Sequence, residues 1–163
     1  MKNWRVTDGD IEVGKSHRVD MVQGRDKLVQ DLSLWLLEPL GIGFTTPNFG
    51  SLLNTTEQGT TGRRSGHFVG HILDQQRAAE VESEVDRILN LYQQDQIQKI
   101  KQAQLEGRLY LYRRSEILDS IDQVASAIDG DSITVRASIT SGANQDITLL
   151  INANTEEATV DIP

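Results

Sequence analysis

Three histidines, several pairs of carboxylates and one glycine-rich tract are the residues of this chain whose types and spacing could carry chemistry. His67 and His71 stand four positions apart, with Asp74 three further on. On a helix, two imidazoles at that spacing face the same way and can chelate zinc or nickel. No Glu follows the first His, so the metalloprotease pattern is missing, and Gly66 and Gly70 weaken any helix that would hold the pair. The competing reading is a pair of solvated or capping histidines, and no metal site is assigned. His17 stands apart from both.

The carboxylates form three groups: Asp8, Asp10 and Glu12; Glu80, Glu82, Glu84 and Asp86; Asp119 and Asp122. A glycosidase needs two carboxylates facing each other across a sugar, one of them desolvated enough to stay protonated. Nothing local supplies that asymmetry, and a run of acids on a helix reads as a solvated face. The group at 8–12 alternates as calcium loops do, but lacks the loop's glycine and distal glutamate. The tract Gly59-Thr60-Thr61-Gly62-Arg63-Arg64-Ser65 has neither the spacing nor the lysine of a phosphate loop. A serine nucleophile elbow is absent too. No catalytic residue and no cofactor is expected. Arg63 and Arg64, then Arg108, Arg113 and Arg114, read as anchors for a partner's carboxylates.

The elements that must position these residues follow from periodicity. In 24–53, Leu28, Leu32, Trp35 and Leu36 lie on one face of a helix that stops near Leu37, because Pro39 disfavours helical geometry at Glu38. A shaped loop then turns Phe44 and Phe49 inward. Before this joint, residues 4–6, 11–13 and 18–22 read as short strands, the first two around the turn Asp8-Gly9-Asp10. After it, 54–66 is a polar loop and 68–105 is helical, with a seam of Val81, Val85, Ile88, Leu89 and Tyr92. The step of five from Tyr92 to Ile97 predicts a kink or a change of packing partner near Asp95. Glutamine and lysine over 93–104 suggest a projecting helix, capped by Gly107.

Past Arg108 the period becomes two. Ile121, Gln123 and Ala125, then Ile133, Val135, Ala137 and Ile139, then Ile147, Leu149 and Ile151 read as one face of an antiparallel meander. Turns at Asp129-Gly130-Asp131 and Ser141-Gly142-Ala143-Asn144 join its strands. A last extended piece, 158–162, either pairs with the sheet or stays free. The fold class is α+β: an extended arm (1–23), one domain (24–152) and a tail or edge strand (153–163).

Composition narrows the function classes. A chain of 163 residues is large enough to bury a core, but only 37% of it is apolar and 5% aromatic, so part of its stability is expected from partners. A net charge of −8 argues against coating nucleic acid or an anionic membrane. With no cysteine, disulfides, thiolate nucleophiles and cysteine-based zinc sites are excluded. Residues 1–10 carry no apolar leader core, and no run approaches the ~18 apolar residues of a membrane span.

Gln30, the helix ending in Leu36-Leu37 and the loop Thr46-Pro47-Asn48-Phe49-Gly50-Ser51-Leu52 resemble the baseplate wedge and sheath-initiator family of contractile phage tails. That family includes the corresponding baseplate component of type VI secretion systems. Its pattern is a helix, a loop reading proline, any residue, aromatic, Gly, Ser, then a long helical hairpin and a C-terminal antiparallel sheet. The likeness covers 24–151, and the step Gly9-Asp10-Ile11 in the arm is also familiar from it. One departure stands at the junction before the sheet, where the family carries Glu-Pro-Arg and this chain has Glu116-Ile117-Leu118. Only Glu116 is kept, with Arg113 or Arg114 as substitutes for the missing arginine.

The resemblance implies a structural virion protein of the tail baseplate, assembled in the host cytoplasm in multiple copies around the tail axis. Its implied partners are other wedge proteins, the tail sheath protein, and tube or hub proteins, with no membrane and no specific nucleic acid. Pro47, Phe49, Gly50, Glu116, Arg113 and Arg114 would meet the wedge. Strands containing Ile133, Val135, Ile147 and Leu149 would be the platform to which sheath strands add. A rival reading is a carboxylate-dependent cell-wall glycan hydrolase. A third is a coiled-coil adaptor using the 81–92 seam, for which three turns of pattern are too few.

Overall fold

The computed structural model describes residues 3–7, 10–11, 21–41, 49–53, 74–154 and 158–161. The histidines, the 59–65 tract, the polar loop at 54–66, Phe44 and Pro47 lie outside them. In the arm, β1 (Asn3–Trp4) pairs antiparallel with β4 (Met21–Val22), and β2 (Val6–Thr7) with β3 (Asp10–Ile11).

Helix α1 (Arg25–Leu37) buries Leu28, Val29, Leu32 and Leu36, a stripe at the three- and four-residue spacing that one helix face requires. It ends as expected: Glu38 is extended ahead of Pro39, and its amide still reaches the Leu34 carbonyl. The chain then doubles back. Ser51 donates its amide to the Glu38 carbonyl at 2.8 Å, and Leu40 donates to the Ser51 carbonyl at 2.9 Å. The Ser51 hydroxyl donates to the Leu36 carbonyl, so a loop serine occupies one of the carbonyls that a helix end leaves open.

Helix α2 (Gln75–Leu105) starts at Asp74, whose carboxylate accepts from the Arg77 amide at 2.8 Å. It buries Ala78, Val81, Val85, Ile88, Leu89 and Tyr92 on one seam. A change of partner follows Tyr92. Gln96 leaves the apolar core and bonds the backbone of the following junction, while Ile97 and Leu105 are exposed. Gly107, at φ +68°, closes the helix in the left-handed conformation, with the Arg108 amide reaching back to Ala103 at 2.7 Å. Two short 3-10 turns, Leu109–Leu111 and Arg114–Glu116, lead into the sheet.

The sheet has four antiparallel strands in sequence order: β5 (Leu118–Asp129), β6 (Ser132–Ser141), β7 (Asp146–Asn154) and β8 (Ala158–Asp161). In β6, Ile133, Val135, Ala137 and Ile139 are fully buried, and Ile147, Leu149 and Ile151 of β7 join them under the helices. The last extended piece pairs with β7, from Leu150↔Asp161 to Ala153↔Ala158.

One expected alternation fails. The register of β5 slips between Ile121 and Gln123, so Ile121 pairs with Ile139 but Val124, not Gln123, comes to face Ala137. A bulge adds one residue and flips every later side chain to the other face. Ile121 and Val124 pack on the core, whereas Gln123 is exposed. Asp122 is turned outward at the slip, where the hydroxyls of Ser120 (2.7 Å) and Thr140 (2.8 Å) donate to it and hold its carboxyl below the usual range.

Candidate functional site

Two places combine exposed backbone or convergent polar groups with elements that hold them rigidly: the two edges of the sheet, and the junction where α1, α2 and the start of β5 meet.

The sheet's edges differ. Along β5, side chains of α2 take backbone groups of three residues, Leu118, Asp119 and Ser126. Glu82 accepts from the Ser126 amide at 2.9 Å and from its hydroxyl at 2.6 Å. Gln93 donates to the carbonyls of Asp119 (2.7 Å) and Leu118 (3.4 Å), and Gln96 accepts from the Leu118 amide at 2.8 Å. These bonds fill sites that an incoming strand would need. On the far side, β8 covers β7 only over 150–153 among the described residues, leaving 146–149 beyond its register.

Ile133, Val135, Ile147 and Leu149 are core residues of this chain, buried at 0–1% exposure. β6 is hydrogen-bonded on both sides, to β5 and to β7, so no edge runs along it. The edges of the sheet are β5, occupied by α2 side chains at three residues, and the β7–β8 side.

The junction collects several of the other predicted residues. Phe49 packs edge-on against Trp35, with ring centroids 4.9 Å apart. Gly50 is buried at φ +96°, and a Cβ there would lie 2.6 Å from the Glu38 carbonyl oxygen, so only glycine fits. Glu116 is 3% exposed and accepts from the Gly24 amide at 3.1 Å, tying the start of α1 to the junction. Arg113 and Arg114 are exposed. Pro47 lies outside the described residues.

Sequence reasoning missed the polar residues that join these parts. Gln96 spans the junction, donating to the Glu116 carbonyl at 2.6 Å while accepting from the Leu118 amide. Buried Glu84 accepts from the Leu52 amide at 2.8 Å and is gripped by Arg87 at 2.6 Å through two nitrogens, fixing the loop after Gly50 onto α2. The signal for Gln96 was present: it lies four residues past Tyr92 on the buried seam.

Beside this network opens a cleft of about 520 Å³, lined by Trp35, Phe49, Tyr92 and Tyr112 with Asp31, Asp95 and Glu116. Tyr92 stands edge-on to Trp35 at 5.8 Å. Burial pushes its phenol well above the usual range, and the charges of Asp31, Asp95 and Glu116 and a hydrogen bond to Asp31 push it the same way. Among the described residues no group of three metal-ligating side chains occurs, and no helix is long and apolar enough to cross a membrane. No family model, curated protein or solved structure matches this chain.

Proposed function

We propose that this chain is a non-enzymatic assembly protein of a contractile tail baseplate, packing into the wedge and offering its C-terminal sheet to the first sheath ring by strand addition. The observation that carries the reading is the asymmetry of the sheet: α2 side chains occupy the β5 edge at Leu118, Asp119 and Ser126, and a short β8 borders the other. Backbone pairing needs little side-chain specificity, so a sheet with side chains bonded along one edge favours an added strand at the other. The resemblance of the 46–52 loop supplies the identity of the machine. Two of the acids weighed for glycan chemistry support a structural role, since Glu82 holds Ser126 and Glu84 holds Leu52.

The test places Pro at Thr159 and at Val160 in separate variants. Successive strand residues point their amides to opposite neighbours, so one of the two loses an outward donor and keeps its ladder with β7. Circular dichroism identifies that folded variant. Particles assembled with it should carry tubes and baseplates without sheath. Sheaths of normal length and number would overturn the reading.

A further inference from the structure

The cleft between α1 and the second half of α2 has the chemistry of a cation pocket. Its walls are aromatic: Trp35 stands edge-on to both Phe49 and Tyr92, and Tyr112 completes the lining. Aromatic faces attract a cation placed over them, most strongly when it is partly desolvated. Three carboxylates, Asp31, Asp95 and Glu116, line the same space. Lys27 and Lys99 line it too, each held four residues from its acid on the same helix, by Asp31 and Asp95 respectively.

The two lysines are not equivalent. Lys27 is mostly buried, with its side chain 14% exposed, and belongs to the wall. Lys99 is 62% exposed and reaches Asp95 at 2.6 Å from the rim. An exposed ion pair at this spacing contributes little, so Lys99 leaves Asp95 at small cost. With Lys99 swung out, Lys27 alone faces the three carboxylates, and the lining is left two positive charges short.

We propose that this cleft receives an arginine side chain of a protein partner, which displaces Lys99 from Asp95 and stacks against the Trp35, Phe49 and Tyr92 rings. Charge complementarity selects the occupant, because the lining is acidic once Lys99 leaves and the chain as a whole carries −8. Arginine fits better than lysine: a planar guanidinium stacks on rings and bonds a carboxylate with two parallel donors, where an ammonium is a point charge. The site does not depend on strand addition, which uses the sheet.

The probe is ethylguanidinium chloride, with urea and sodium acetate as neutral and anionic controls, read on the Trp35 indole proton by NMR in the full chain. Ethylguanidinium should move that resonance saturably while the controls do not. Lys99→Ala should tighten binding about two- to fivefold by removing the competitor, and Asp95→Asn should weaken it by a similar factor. A merely structural Asp95–Lys99 pair would leave both variants with the wild-type response. That outcome, the lack of a saturable shift in wild type and Lys99→Ala alike, or an equal response to urea overturns the proposal. Both positions lie on the surface of α2, and circular dichroism verifies that the variants fold.

Discussion

The carboxylate of Glu82, on α2, closes a rung of the sheet edge at Ser126, accepting from its amide at 2.9 Å and from its hydroxyl at 2.6 Å. A side chain thus stands where a neighbouring strand's carbonyl would. Glu82→Ala removes the acceptor and leaves an outward amide on a long strand. The variant should lose about 1.5–3 kcal/mol, as expected for a hydrogen bond to a charged group. It should also self-associate as concentration rises, because the uncovered edge becomes a template. Urea unfolding measures the first effect and sedimentation velocity the second. A variant that stays as monodisperse as wild type would show that Glu82 does not guard the edge.

Glycine at position 50 is set by geometry rather than by chemistry. At φ +96° the backbone is in a region that L side chains avoid, and an added Cβ would meet the Glu38 carbonyl oxygen at 2.6 Å and the Pro39 carbonyl oxygen at 2.7 Å. Both contacts are backbone and cannot rotate away. Gly50→Ala should therefore cost roughly 2–5 kcal/mol, combining left-handed strain with overpacking. Gly107→Ala is the control, since nothing lies within 4 Å of its Cβ position and only the strain at φ +68° remains. Urea midpoints of the two variants should differ, with Gly50→Ala the lower. Equal losses would mean that the loop moves to make room.

Helices and sheet were legible where apolar residues keep a period. Leu28, Leu32 and Leu36, the Val81 to Tyr92 seam, and Ile133, Val135, Ala137 and Ile139 of β6 are all buried as their spacing requires. Burying one such side chain is worth about 1.5–3 kcal/mol, so a stripe of them outweighs local preferences. Two features escaped for physical reasons. The bulge in β5 follows from tertiary fit and leaves no mark on the pattern, so Gln123 was placed on the core face that Val124 occupies. The polar joints made by Glu84 and Gln96 escaped because both are ordinary surface residues by type. Each is buried where a backbone group of a distant segment needs it, Leu52 for Glu84 and Leu118 for Gln96. β6 and β7 were legible as strands, but edge and centre depend on strand order, which periodicity does not encode.

Tyr92 gives the chain a specific response to alkali. Its phenol is held above the usual 10.0, first by burial, then by the charges of Asp31 and Asp95, the hydrogen bond to Asp31 and the charge of Glu116. The folded state thus keeps a proton that the unfolded chain gives up at about pH 10. The contribution to stability is fully present below pH 10.0 and is lost as pH climbs from there toward the folded value. Each unit of that climb costs at most about 1.4 kcal/mol. The chain has three tyrosines, so the informative quantity is the gap between wild type and Tyr92→Phe. Urea midpoints at pH 8, 10 and 11 should show the variant less sensitive than wild type above pH 10, the gap moving in its favour by close to that amount per unit. Parallel curves would mean that water and counter-ions reach the phenol, and that the carboxylates around it do not act as a negative cluster.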